Sequence, residues 1–129
     1  MIAGIGVDMV SIPELERLCT SKVVGDAFMK RTFTQAERDA ANVRPNPYEH
    51  LAGCFAAKEA VFKAIADLLP ERAFDLRMVE LLNHESGSPF VNGEGPLSGV
   101  LADAGVCHIH ISLTNENECA LAFVVAERV

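Results

Sequence analysis

The sequence predicts an α+β fold: an antiparallel sheet with helices gathered on one side, in a single domain spanning residues 1–129. Three patterns lead there. Leu51 to Ala66 is helical, because Leu51, Phe55, Phe62, Ile65 and Ala66 recur at helical spacing and form an apolar stripe. Cys107 to Thr114 alternates instead, with Cys107, Ile109, Ile111 and Leu113 on one face and His108, His110, Ser112 and Thr114 on the other. After a turn at Asn115 to Glu118, Cys119 to Ala126 is almost continuously apolar and reads as a fully buried return strand. Strands and helices fall in separate runs rather than alternating, which favours α+β over a parallel sheet.

The remaining elements follow in order. Ile2 to Val10 reads as a strand that ends near Asp8. Gly4-x-Gly6 suggests a dinucleotide-binding turn, but Met9 stands where the third glycine belongs. Ser11-x-x-Glu14 is a capping box opening a short helix, with Leu15 and Leu18 inward and Glu16 and Arg17 outward. Gly25 interrupts, and Ala27 to Phe33 resumes as helix or turn with Lys30 and Arg31 exposed. Thr34-x-x-Glu37 is a further capping box, whose helix fades before Arg44-Pro45-Asn46-Pro47. These short pieces form a helical lid. Asn46 caps the central helix, Pro47 suits its first position, and Glu49 completes an Asn-x-x-Glu box.

Pro70 breaks the chain beyond that helix. Phe74 to Leu82 reads as a strand with Phe74, Leu76 and Met78 facing one way. Glu85 to Ser88 is a turn, Pro89 to Asn92 a short strand, and Leu97 to Ala104 a helix closed by Gly105.

Composition narrows the function classes. Half of the residues are hydrophobic but only 6% aromatic, with no Trp, so the core must be aliphatic. No apolar run approaches the about 18 residues of a membrane span, and no charged-then-apolar leader precedes the first strand, so a cytoplasmic protein with no membrane partner is expected. A net charge of −7 argues against nucleic acid as a partner. The charge is uneven: residues 1–63 carry eight Lys/Arg and eight Asp/Glu, residues 64–129 three and ten, leaving room for a basic face on the first half. Cys19, Cys54, Cys107 and Cys119 lack metal-binding spacing and read as buried free thiols.

The chemistry-bearing stretch is Phe55-x-x-Lys58-Glu59-Ala60-x-x-Lys63. Glu59 and Lys63 lie one turn apart and project from the same side of the helix. Read alone they are a solvated ion pair worth about 0.3–0.5 kcal/mol. Asp8, read alone, caps the turn after its strand. A Ser-His-Asp hydrolase is excluded by the lack of a nucleophile elbow, since Ser112 lies mid-strand.

Taken in order, Gly4-Ile5-Gly6-Val7-Asp8, then Phe55-x-x-Lys58-Glu59-Ala60-x-x-Lys63, then His110-Ile111-Ser112-Leu113-Thr114 resemble the holo-acyl-carrier-protein synthase family of 4'-phosphopantetheinyl transferases, over nearly the whole chain. The resemblance implies that a carrier-protein serine attacks the β-phosphate of coenzyme A, releasing adenosine 3',5'-bisphosphate. A diphosphate calls for a divalent cation and fixed positive charge rather than a covalent nucleophile. Mg²⁺ takes one or two carboxylates plus phosphate oxygens and water, and the family's matching positions are Asp8 and Glu59. Lys63 would neutralise phosphate. Lys58 would bind phosphate or hold Glu59. Glu59, or a metal-bound water oriented by Asp8, would take the serine proton. His110 and Ser112, with Thr114, either line a coenzyme A groove or form the wet face of a sheet. Gly87-Ser88-Pro89 resembles a Gly-x-Pro turn near the cofactor.

Three positions depart from the family pattern. Cys54 stands for a usual arginine, Asp67-Leu68-Leu69-Pro70 for a glycine-rich turn, and Asn115 for a frequent histidine. The resemblance also implies a homotrimer with each cofactor site at a subunit boundary. Its acidic acyl carrier protein partner fits a basic patch of Arg17, Lys22, Lys30, Arg31 and Arg38. The departures keep two other readings open: a non-catalytic trimer that binds coenzyme A or a carrier protein, and a metal-dependent phosphohydrolase using the same carboxylates.

Overall fold

The computed structural model describes residues 1–71 and 74–129. In chain order these form β1 (Ile2–Ser11), α1 (Ile12–Cys19), α2 (Gly25–Thr32), α3 (Gln35–Asn42) and α4 (Pro47–Ile65), then β2 (Leu81–Asn83), β3 (Pro89–Val91), α5 (Pro96–Ala104), β4 (His108–Glu116) and β5 (Cys119–Glu127). Short 3-10 turns occupy Ala66–Leu68 and Leu76–Met78. A three-stranded antiparallel sheet has the order β1-β5-β4, and β2 and β3 form a separate hairpin. The expected α+β class holds.

Helix α4 is the spine. Asn46 starts it by accepting a bond from the Glu49 N–H at 3.2 Å, with Pro47 in the first turn. Its buried residues, among them Leu51, Ala52, Ala56, Ala57, Ala60, Val61, Ala64 and Ile65, cover more of its circumference than one stripe. The small ones let β1 come unusually close. A Cβ on Gly4 would lie 1.8 Å from the Ala64 carbonyl oxygen, and one on Gly6 1.9 Å from that of Ala60. These two glycines therefore serve backbone-to-backbone packing, not a phosphate turn.

The other caps also form. Ser11 accepts from the Glu14 N–H at 3.3 Å. Thr34 and Glu37 make a complete capping box, at 3.3 and 2.9 Å. Gly105, at φ 71°, closes α5 in the left-handed region.

Several expectations are corrected. Strand β1 continues to Ser11, so Asp8 lies within it, opposite Ala122, and accepts from the Lys63 ammonium. Gly25 begins α2 instead of interrupting it. Leu18 is partly exposed and Cys107 exposed. Phe74 to Leu82 is not one strand: only Leu81–Asn83 pairs. Asp75 folds the preceding segment into a turn by accepting the Arg77 N–H at 2.9 Å. The carbonyls of Leu76 and Val79 are taken by the Lys58 ammonium rather than by a neighbouring strand.

Strand β4 runs past Thr114 to Glu116, leaving only Asn117, at φ 58°, and Glu118 between the strands. Strand β5 is not fully buried. It alternates, with Ala120, Ala122, Val124 and Ala126 against α4 and Phe123 exposed on the outer face. The helices cover one side of the sheet and leave the other open. The four thiols differ accordingly: Cys54 is buried, Cys19 and Cys119 are partly buried, and Cys107 is exposed.

Candidate active site

Because β1 lies on the backbone of α4, residues two positions beyond Gly6 and one turn beyond Phe55 meet. Asp8 and Glu59 line a single cleft of about 330 Å³, together with Met9, Ser11, Glu14, Leu18, Phe28 and Phe55. Strand β1, α1, α2 and α4 each contribute a wall. Its carboxylates, Asp8, Glu14 and Glu59, come from three elements, with Leu18, Phe28 and Phe55 as apolar walls.

Lys63 does not pair with Glu59, its neighbour one turn away. Its ammonium donates to Asp8 Oδ1 at 3.1 Å and to the Val7 carbonyl at 3.0 Å. The lysine is about half exposed (51%) and Asp8 mostly covered (18%), so as a surface pair it contributes about 1 kcal/mol or less. Its effect is positional: Asp8 is held while the ammonium stays reachable. Glu59 behaves differently. Burial pushes its carboxyl above the ordinary carboxylate range, the charge of Asp8 pushes the same way, and Lys63 opposes both. That response requires the two carboxylates to be electrostatic neighbours.

The donor set suits Mg²⁺. Asp8 and Glu59, with Glu14 on the α1 wall, bring hard carboxylates to the cleft, and among the described residues no group of three or more His, Cys, Asp or Glu stands together as a closed metal cage would require. The other coordination positions would be left to substrate oxygens and water.

Lys58 is elsewhere, and neither of its expected roles survives. It is fully buried (0%) and pairs with Glu37, also 0% exposed, at 2.7 Å. It also donates to the carbonyls of Leu76, at 3.2 Å, and Val79. The other oxygen of Glu37 accepts the Leu81 N–H at 3.0 Å. Lys58 is thus a cross-brace joining α3, α4 and the segment before β2, with its charge directed away from the cleft. The sequence places it beside Glu59, but consecutive helical residues point about 100° apart.

The remaining expected ligands do not gather at the cleft. Gly87, at φ 95°, and Pro89 belong to the β2–β3 hairpin. His110 lies on the outer sheet face, 2.9 Å from Glu127, and Ser112 is exposed opposite Phe123.

A larger cavity, about 460 Å³, lies on the other flank of α4. Its walls include Arg44, Asn46, Glu49, His50, Asn83, Thr114 and Asn115. Of these, the sequence singled out Thr114 as a groove candidate and Asn115 as a departure from the family pattern, and read Asn46 and Glu49 as a cap. Arg44 was read as part of a helix stop and His50 was not singled out; a polar residue among the apolar ones of α4 was the available signal. Burial and the nearby Arg44 charge lower the His50 imidazole to about 4. Cys54 is turned inward, where burial and then the Glu37 carboxylate push its thiol up.

Residues 4–124 match the family model of the 4'-phosphopantetheinyl transferase superfamily. The chain is 39% identical over 126 residues to a holo-[acyl-carrier-protein] synthase of Desulforudis audaxviator, covering 98% of this chain and 93% of that one. Its fold matches the crystal structure of the holo-[acyl-carrier-protein] synthase of Neisseria meningitidis with TM-score 0.85 and 34% identity, over 99% and 100% of the two chains. It also matches a Bacillus anthracis holo-(acyl-carrier-protein) synthase in complex with CoA (3',5'-ADP), with TM-score 0.76 and 28% identity, over 100% and 99%. With a glycine-packed strand and a central helix bringing Asp8, Glu59 and Lys63 together, and a match over nearly its full length, this chain belongs to the 4'-phosphopantetheinyl transferase superfamily.

Proposed function

We propose that this chain transfers the 4'-phosphopantetheine group of coenzyme A to a serine of an acyl carrier protein, in a Mg²⁺-dependent phosphoryl transfer releasing adenosine 3',5'-bisphosphate. The observation that carries the reading is the shared cleft of Asp8 and Glu59, with the Lys63 ammonium at its edge. Asp8 and Glu59 would hold the cation, which when bound neutralises diphosphate charge. Lys63, half exposed, can turn from Asp8 to a phosphate oxygen and offset the charge on the departing bisphosphate. The serine oxygen forms its bond to the β-phosphorus as the bond to the bisphosphate oxygen breaks. Glu59, whose carboxyl is made more basic by burial, accepts the hydroxyl proton.

The mouth of the cleft supports the choice of partner. Helices α1 and α2, which supply Leu18 and Phe28 to it, also carry Arg17, Lys30 and Arg31, with Lys22 between them. An acidic carrier would be steered there by charge, and its binding would weaken with salt. The open sheet face supports a homotrimer. Ile5, Val7 and Met9 of β1 lie opposite Val125, Phe123 and Leu121 of β5, forming an apolar surface that a second copy can cover. No described helix is long and apolar enough to cross a membrane, and a cytoplasmic location remains part of the reading.

Mass spectrometry of an apo carrier protein, incubated with coenzyme A, Mg²⁺ and this protein, tests the reaction. The expected product carries the added phosphopantetheine mass. Coenzyme A binding with no added mass on any of several carriers would select the non-catalytic binding reading.

A further inference from the structure

Glu14 is the charged residue of the cleft that the proposed reaction leaves without a task. Ser11-x-x-Glu14 has the spacing of a capping box, yet the box closes on one side only. Ser11 accepts the Glu14 N–H at 3.3 Å, but the Glu14 carboxylate does not turn back to its cap as Glu37 does at Thr34. Ser11 still belongs to β1, paired with Cys119, when α1 begins. The freed carboxylate is exposed, lines the cleft, and enters no ion pair or hydrogen bond among the described residues.

Position sets what Glu14 can meet. It shares one cleft of about 330 Å³ with Asp8 and Glu59, so an acceptor serine delivered to those two carboxylates brings its chain neighbours to Glu14. Of the acidic residues on α1 and α2, Glu16 and Asp26 lie outside the cleft lining and Glu14 lies in it. The basic residues of the same two helices and their connection, Arg17, Lys22, Lys30 and Arg31, also lie outside it. Asp8 has the Lys63 ammonium at 3.1 Å, and the cation falls to Asp8 and Glu59, so the Glu14 charge is left for the partner to meet.

We propose that Glu14 selects the carrier: it favours an acceptor serine flanked by a basic side chain and disfavours one flanked by Asp or Glu. This deepens the transfer reading and rests on it. The outer lysines and arginines draw an acidic carrier, but the residue that enters beside its serine meets a carboxylate. A Lys or Arg there gains an ion pair in a cleft walled by Leu18, Phe28 and Phe55, whereas an Asp or Glu meets like charge. One negative point inside a basic rim matches one positive point on an acidic surface. The preference acts on productive binding, so it appears in kcat/KM and shrinks with salt.

The test is transfer to one apo carrier protein made with Lys, Gln or Asp beside its acceptor serine, on either side, followed by mass spectrometry at low and high salt. Wild type should use the Lys form about tenfold better than the Asp form at low salt. Glu14→Gln should bring the forms together, and Glu14→Lys should reverse their order. An order that Glu14→Lys leaves unchanged would overturn the proposal. A fall in coenzyme A affinity or the loss of a bound Mn²⁺ in Glu14→Gln would overturn it too, by placing Glu14 on the cofactor or the cation. If no form of the carrier gains phosphopantetheine, the transfer reading fails with it. If all forms gain it equally well, that reading stands and the role of Glu14 alone fails.

Discussion

Four charged side chains, from β1, α3 and α4, divide into two unrelated jobs. Lys63 and Asp8 meet at a cleft edge, whereas Lys58 and Glu37 meet where water does not reach. In the second pair, each partner satisfies a charge whose burial would otherwise be very costly. Lys58→Ala should lower stability by about 3–5 kcal/mol, because it leaves Glu37 charged and buried. The double replacement Lys58→Met with Glu37→Gln should cost less than the single one. Urea unfolding midpoints of the three proteins check this; equal losses would mean that the pair is not coupled. The convergence of Asp8, Glu59 and Lys63 was legible in the sequence because an ordered set of motifs ties the three together. Lys58 was misread because adjacency along a helix is not adjacency in space. Arg44 and His50 were missed because they carry no motif, and only the fold brings them to one cavity.

At the level of elements, position is set by caps and glycines. Asn46 and Thr34 mark where α4 and α3 begin, and both were readable as Asn/Thr-x-x-Glu signatures. The meaning of Gly4 and Gly6 was not readable, since a Gly-x-Gly pair serves a phosphate turn and a close backbone approach equally well. Their contact with α4 fixes how far Asp8 stands from Glu59. Gly6→Ala must move β1 off Ala60, since its Cβ would lie 1.9 Å from that carbonyl oxygen. The overpacking should cost about 1–3 kcal/mol. A shift of about 1 Å in Asp8 should reduce transfer about hundredfold in protein that remains folded. Steady-state rates beside a thermal melt separate the effects, and a folded variant with wild-type transfer would show that this packing does not set the site. The segment from Phe74 to Val79 misled for a related reason. Its alternation suits a strand, but Lys58, remote in sequence, takes its carbonyls.

At the scale of the molecule, one sheet face is packed and the other is not. The α+β class was readable from alternation in β4 and the apolar run of β5. The run also led to a fully buried strand, and burial of its outer side is not provided within this chain. Ile5 is 57% and Met9 65% exposed, flanking Val7 and Phe123 in a surface suited to self-association. Sedimentation should find a trimer, and Phe123→Glu should shift it to monomer with loss of transfer. A wild type that sediments as a monomer at all concentrations would oppose this assembly.

The central claim is that Asp8 and Glu59 hold one cation between them, and Mn²⁺ titration followed by electron paramagnetic resonance addresses it without relying on turnover. With coenzyme A present, wild type should bind one Mn²⁺ per chain, and Asp8→Asn and Glu59→Gln should each abolish that site. Unchanged Mn²⁺ binding in either variant would contradict the account.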